Sequence, residues 1–238
     1  MSYRIIISHH QAEHLSKFPV DLPTAVVFDA YEDADAYTCH DLGFQPVVVP
    51  QAGNRGFNRN KGLEYLMNGA LIAQEDVIEF FDGDRCPVYY NPYAVQRLMD
   101  RHALDGMLFM CQADTRDNLD VPRSGALLVD TGALCNPFYS CGFAMRFNAI
   151  EKVLKFNKGC FFESAFDQWG CEDQYMGLVC AHLNLRIGIT KEYLLNGRVG
   201  GNCDDHPEYR DSLQQYINLI RARNLEIRNQ MRCAEYLK

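Results

Sequence analysis

The chain is poor in several features that would place a protein quickly. Positive charge comes first: 23 lysines and arginines stand against 31 aspartates and glutamates, for a net charge of -8. Without a global excess of base there is nothing to neutralise a phosphate backbone nonspecifically, which argues against polyanion binding over the whole surface. A local basic groove stays open. No apolar run approaches the roughly 20 residues that cross a bilayer. The start does not read as a secretory leader either, because Arg4 is followed by only Ile5, Ile6 and Ile7 before Ser8, His9 and His10 restore polarity. A cytoplasmic protein with no membrane segment is expected. Ten cysteines occur, but no C-x-x-C pair and no cluster at zinc-site spacing, so reduced and mostly buried thiols are expected. There is one tryptophan, and no repeat or low-complexity linker divides the chain.

What is present suits one folded domain with a substantial core: 238 residues, 47% hydrophobic and 23% charged. Tyr3 to Ser8 and Thr24 to Phe28 are β-branched runs of the kind buried strands use. Between them, Gln11 to Phe18 gives a helical turn or two before Pro19 and Pro23 stop it. Gln45 to Pro50 reads as a third strand and Val77 to Phe81 as a fourth. A helix over Asn58 to Gln74 separates them, with Leu63, Leu66, Met67, Ala70 and Leu71 at helical spacing. Strands alternating with helices predict an α/β domain with a largely parallel sheet, whose ligands sit at the carboxyl ends of the strands.

Further along, the pattern predicts a helix over Pro92 to Ala103, a strand over Gly106 to Cys111, and a polar loop over Gln112 to Gly125. A strand across Ser140 to Phe147, helices at about 148–156 and 172–183, and a last strand over Leu185 to Ile189 follow. From about Pro207 the chain reads as helix, with Leu213, Ile217, Ile220, Ile227 and Met231 in a stripe interrupted at Asn224. That stripe either packs on its own domain or offers a homodimer contact. Residues 1–238 thus form a single domain with a first half of about 1–85, a second of about 86–206, and a C-terminal helix of about 207–238.

The chemistry concentrates in three places. Phe80 to Arg85 reads F-F-D-G-D-R, which sets Asp82 and Asp84 at the carboxyl end of a strand with Gly83 as a turn between them. Two such carboxylates can hold a hard divalent ion and leave coordination positions for phosphate oxygens; as a bare tripeptide, D-G-D is also an ordinary surface turn. Trp169-Gly170-Cys171-Glu172-Asp173 puts the single tryptophan just ahead of two acids at a helix start. Acids there can simply be caps. An aromatic face can also pack on a sugar, and a nearby carboxylate can take the proton of an attacking hydroxyl. Asp204-Asp205-His206-Pro207 supplies a histidine that is either a surface residue or a further metal ligand.

In this order the motifs resemble the nucleotide-sugar transferases of the GT-A fold, most of all the β-1,4-galactosyltransferase and chondroitin-polymerase type, and more distantly the broad family 2 transferases. Val49-Pro50-Gln51 and Phe57-Asn58-Arg59-Asn60-Lys61 are similar to the segment that opens a helix before the metal-binding strand, and Glu13-His14-Leu15 also fits. The resemblance covers residues 3 to about 206. It implies a Rossmann-like, mixed and mainly parallel sheet flanked by helices, with the nucleotide-sugar site in the first half and the acceptor site in the second. It implies Mn²⁺ or Mg²⁺ held by Asp84, with Asp82 reaching the ribose or the metal and His206 as a further ligand. Phe57 and Arg59 would contact the nucleotide. Trp169, with Gly170 beside it, would line the sugar and acceptor site, Asp173 would be the catalytic base, and Glu172 would hold the acceptor hydroxyls.

The resemblance thus implies transfer of a hexose or N-acetylhexosamine from a nucleotide diphosphate sugar, a UDP-sugar by preference, to a carbohydrate or other hydroxyl. With one base and no covalent step, inversion is expected; retention stays open. Ser8-His9-His10-Gln11 stands where the galactosyltransferases carry an arginine-rich stretch, and Cys171 stands where they carry glycine. The membrane anchor and stem of secretory-pathway members are missing, which points to a bacterial, phage or viral enzyme or an excised catalytic domain. Three alternatives remain: a sugar-phosphate nucleotidyltransferase, though Ser8 to Lys17 lacks the glycine-rich basic loop of that class; a nonenzymatic carbohydrate- or nucleotide-binding module; and a transferase acting on a modified DNA base, for which Arg210, Arg221, Arg223, Arg228 and Arg232 make the C-terminal helix locally basic.

Overall fold

Alternation of side chains along the central strands decides the layers. In β1 (Ser2–Ser8), Ile5 and Ile7 enter one core cluster while Ile6 enters another; in β4 (Val77–Asp82), Ile78 and Phe80 join the first and Val77 and Phe81 the second. A strand with period 2 that is apolar on both faces must lie in the middle of a sheet covered on both sides. The computed structural model describes residues 1–8, 12–28, 38–49, 55–112, 121, 123–133, 138, 141–166, 171–196, 209–228 and 235–237.

The remaining strands are β2 (Thr24–Phe28), β3 (Gln45–Val48), β5 (Pro87–Tyr90), β6 (Gly106–Cys111), β7 (Ala126–Val129), β8 (Gly142–Arg146), β9 (Ile187–Leu195) and β10 (Glu235–Leu237). They form a 10-stranded sheet of order β10-β7-β9-β6-β8-β4-β1-β2-β3, with β5 paired to β9 off that path. Pairing is parallel through β3, β2, β1 and β4, as the alternation of the first 85 residues predicts. Beyond β4 the sheet turns antiparallel except at β6 and β9, so it is mixed as a whole.

The helices are α1 (Arg55–Gly69), α2 (Pro92–Arg101), α3 (Phe147–Phe156), α4 (Glu172–His182) and α5 (Tyr209–Ala222), with a 3-10 turn at Ala12–Lys17. Helix α1 lies close on β1 and β2: a Cβ on Gly62 would stand 2.5 Å from Ile5 Cγ2 and 3.0 Å from Val27 Cγ2. Only glycine admits that approach without displacing the strand. The far end of the contact is fixed by Asn60, whose side chain donates to the Phe162 carbonyl and accepts from the Phe162 amide, both at 2.8 Å.

Several expectations are corrected. Helix α1 begins at Arg55 and ends at Gly69, earlier at both ends than Asn58 to Gln74. The C-terminal helix stops at Ala222, where Asn224 adopts a left-handed φ of 50° and Leu225 turns into the core; β10 then ends the described chain by pairing with β7. Strands β5 and β7 were not expected, and β9 runs on to Leu195. Helix α5 packs on its own domain, with Tyr216, Leu219 and Ile220 against the main core. Arg223 and Arg228 pair internally with Glu163 and Asp130, so the C-terminal segment is less basic than its sequence suggests.

Candidate active site

Strand β4 delivers the first acid. Ile7 lies opposite Asp82 in the β1 register, and directly after it the Gly83 amide donates to the Ile7 carbonyl at 2.7 Å while the Arg85 amide donates to the Asp82 carbonyl at 2.9 Å. The Asp82 amide donates in turn to the Cys141 carbonyl, 3.1 Å away, at the mouth of β8. The backbone of the acid is therefore held from both neighbouring strands.

Its side chain is held as firmly. Arg59 Nη2 donates to Asp82 Oδ1 at 2.5 Å, and Arg55 Nη1 stands 3.4 Å from Oδ2. Arg55 and Arg59 are four apart on α1, hence on one face of it, and that face looks at the end of β4. Asp82 and Arg59 are buried, and the Arg59 guanidinium also lies over the Phe162 ring, 5.1 Å from its centroid. Arg55 differs in keeping 35% of its side chain exposed. Asp84, past the turn, is 37% exposed and 3.8 Å from Arg85 Nε.

The second pair of acids opens α4. Cys171 caps the helix in a left-handed conformation, φ 67°, which throws Glu172 and Asp173 into the first turn, where the helix dipole favours negative charge. A non-glycine residue there is strained, and this is the position at which the resembling transferases carry glycine. Burial, followed by the charge of Asp173, pushes Glu172 up to about 7 against the pull of Arg59 and Arg55. Asp173 Oδ1 is buried and accepts no hydrogen bond among the described residues. The acids meet through Arg55, which is held protonated by Asp82 above all and then by Glu172, Asp173 and Asp84.

The sequence-predicted residues fare differently. Asp82, Asp84, Glu172 and Asp173 all bear on Arg55. Arg59 is spent on Asp82 and has no exposed side-chain surface, whereas Phe57, two residues away and so on another face of α1, is 41% exposed with Lys61 Nζ 5.7 Å from its ring centroid. Trp169, Gly170 and His206 lie outside the described residues. Sequence reasoning missed Arg55, because it started the helix at Asn58; a helix reaching back to 55 would have shown the i, i+4 arginine pair.

The fit to a divalent cation is clear in part. Asp84 offers a half-exposed carboxylate of the hard oxygen type that Mn²⁺ or Mg²⁺ takes. Asp82 is less available, since each of its oxygens faces a guanidinium. Among the described residues no three histidine, cysteine or acidic side chains form a ligand cluster. No helix among them is long and apolar enough to cross a membrane.

No protein-family model and no curated protein sequence matches the chain. Solved structures do. The S. aureus protein TarS, in complex with UDP-GlcNAc, matches with a TM-score of 0.62 at 18% identity, over 94% of this chain and 66% of that one. A mannosyltransferase from Pyrobaculum calidifontis in complex with GDP-Man and Mn²⁺ gives a TM-score of 0.52 at 16% identity, over 84% and 57% of the two chains. GalNAc-T7 with UDP, GalNAc and Mn²⁺ gives 0.58 at 12% identity, over 93% and 48%. The chain thus spans about half to two thirds of the length of these structures. At such identities the likeness is one of fold, and the fold is the GT-A type that the motifs imply.

Proposed function

We propose that the chain is a nucleotide-sugar glycosyltransferase that moves a hexose or N-acetylhexosamine from a nucleotide diphosphate sugar, a UDP-sugar by preference, to an acceptor hydroxyl with inversion. The observation that carries this reading is the convergence of two acid pairs, Asp82 with Asp84 and Glu172 with Asp173, on Arg55 at the carboxyl ends of the strands. Ligands of open α/β sheets bind there. The UDP-GlcNAc and the GDP-Man with Mn²⁺ held by structures of like fold support the same reading.

Each residue then has a physical task. Asp173 takes the proton of the acceptor hydroxyl as the bond to the anomeric carbon forms, and its unpartnered Oδ1 is the atom poised to do so. Glu172, which holds a proton more readily than an ordinary carboxyl, donates to a second acceptor oxygen and fixes the direction of attack. Arg55 stabilises the negative charge that builds on the leaving diphosphate, exchanging its long 3.4 Å contact with Asp82 for phosphate oxygens. Arg59 is a positioning residue that keeps Asp82 ionised and still. Asp84, with His206 as a second ligand, would hold Mn²⁺ or Mg²⁺, which when bound supplies Lewis-acid neutralisation of the diphosphate. Phe57 offers a ring to the base and Trp169 one to the acceptor.

The test is a thermal-shift screen of UDP-, GDP-, dTDP- and CMP-sugars with and without Mn²⁺, on the parent chain and on Asp84→Asn. One donor at about 100 times its Kd should stabilise the parent by about 2.7 kcal/mol, and Asp84→Asn should lose the part of the shift that depends on Mn²⁺. A parent that responds to none of the donors would sink the assignment.

A further inference from the structure

Behind Asp82 lies a feature that the transfer chemistry leaves unused. Cys111 ends β6, Cys141 precedes β8, and their Sγ atoms are 3.5 Å apart. An irregularity in the β6 and β9 pairing between Phe109 and Cys111 breaks the regular ladder there, and such irregularities re-aim side chains. Of the other described cysteines, Cys39, Cys86, Cys171 and Cys180 are buried. Cys111 and Cys141 are both half-buried. The Cys141 carbonyl receives the amide of Asp82, so a change at this residue is transmitted directly to the acid that Arg59 and Arg55 hold.

We propose that Cys111 and Cys141 form a redox-modification site, a dithiol that closes to a disulfide and thereby switches off donor binding at Asp82. The oxidant is a low-molecular-weight disulfide of the glutathione type. One protein thiolate attacks a sulfur of that disulfide and expels one small thiolate. The second protein thiolate then attacks the mixed disulfide and expels the other. The two protein sulfurs lose two electrons, the reagent gains them, and the protons released leave on two small thiols. Closing the 3.5 Å contact to a bond of about 2.05 Å draws the ends of β6 and β8 together, and Asp82 is displaced with the Cys141 carbonyl.

The full chain, equilibrated across a series of reduced-to-oxidised glutathione ratios, is quenched with an alkylating agent and its peptides are mapped by mass. The expected product is a cross-link between the peptides of Cys111 and Cys141, two hydrogens lighter, reversed by dithiothreitol and abolished in Cys111→Ser and Cys141→Ser. Alkylation of both thiols at every ratio, a persistent glutathione adduct, or a cross-link to another cysteine would overturn the site. The effect on function rests on the glycosyltransferase reading and is measured separately. Donor binding should weaken at least tenfold on oxidation and recover on reduction; unchanged binding by the cross-linked chain refutes the switch. If the reduced chain binds no donor the glycosyltransferase reading fails, and the switch falls with it, while the peptide map still decides whether the dithiol closes.

Discussion

Strand β4 carries buried acids on opposite faces, and each is met by an arginine. On one face, Arg4 bonds Glu79 through Nε at 3.0 Å and Nη2 at 2.9 Å, and also reaches Asp21 and the Pro19 carbonyl. Phe81 and Tyr90 lie beside the guanidinium, Tyr193 lies within hydrogen-bonding distance, and Tyr90 donates to Asp21. On the other face, Arg59 holds Asp82, but the half-exposed Arg55 stands alongside and Asp84, Glu172 and Asp173 bear on it. The first network is closed, with its donors and acceptors spent within the fold. The second is open at the end of the strand. Burial alone therefore does not mark a working charge, and neither does an exposed partner, since Asp21 beside Arg4 is 32% exposed; what marks it is a cation held at longer range with further acids bearing on it.

That contrast can be broken most forcefully on the open side. Asp173→Asn should lower the turnover number by roughly 10² to 10⁴-fold, as loss of a general base does, while donor binding by calorimetry stays within about twofold. Full activity in that variant would remove Asp173 as the base. On the closed side, Arg4→Met leaves Glu79 buried without its cation and should cost about 3–5 kcal/mol, read by denaturant unfolding. Arg59→Met should cost less, about 1–3 kcal/mol, because Arg55 remains near Asp82 to share the charge. Donor affinity should fall in the Arg59 variant alone. Equal losses of stability in the two would mean that the networks are not different in kind.

The next effect depends on pH. Glu172 has an ordinary value of 4.5, and in the fold it is pushed up to about 7, first by burial and then by Asp173. The folded chain holds that proton more tightly than the unfolded one, so ionisation destabilises the fold progressively as pH rises from about 4.5 to 7 and the cost persists above that range. Glu172→Gln should thus match the parent below pH 4.5 and exceed it by up to roughly 3 kcal/mol near pH 8. A pH-independent difference between the two would contradict the burial argument.

The smallest effect should come from Cys171→Gly. It relieves a left-handed φ of 67° but gives up a thiol that is 3% exposed, and the two terms, each on the order of 1 kcal/mol, should nearly cancel.

Much of this was legible in the residues and the rest failed for physical reasons. Strands β1, β2, β4 and β6 announce themselves as strongly apolar runs, interrupted only by Arg4 in β1 and Glu79 in β4, because both their faces are buried. Strands β5 and β7 are short, and β5 has no buried residue to set a period. The C-terminal helix was overextended because Ile227 continues the apolar spacing past Asn224, although Ile227 packs on the core from a segment that is no longer helical. At the site, Asp82, Asp84, Glu172 and Asp173 stood out as paired acids. Arg59 was visible but its partner was not, since a buried ion pair spans 23 positions and leaves no trace in local pattern. Arg55 was hidden by a helix boundary placed three residues late.

The two ends of the sheet bear on how the molecule meets its own copies. An edge strand offers unpaired backbone groups to any other extended chain, which is the common route to aggregation. Here one end is β3, four residues with Pro46 among them, and the other is β10, only three residues long. Proline withholds a ladder donor, and three residues are too few to template a neighbour. Among the described residues the sheet is thus blunted at both of these ends, which leaves β5, paired only with β9 and carrying the exposed Val88 and Tyr89, as the edge open to strand addition.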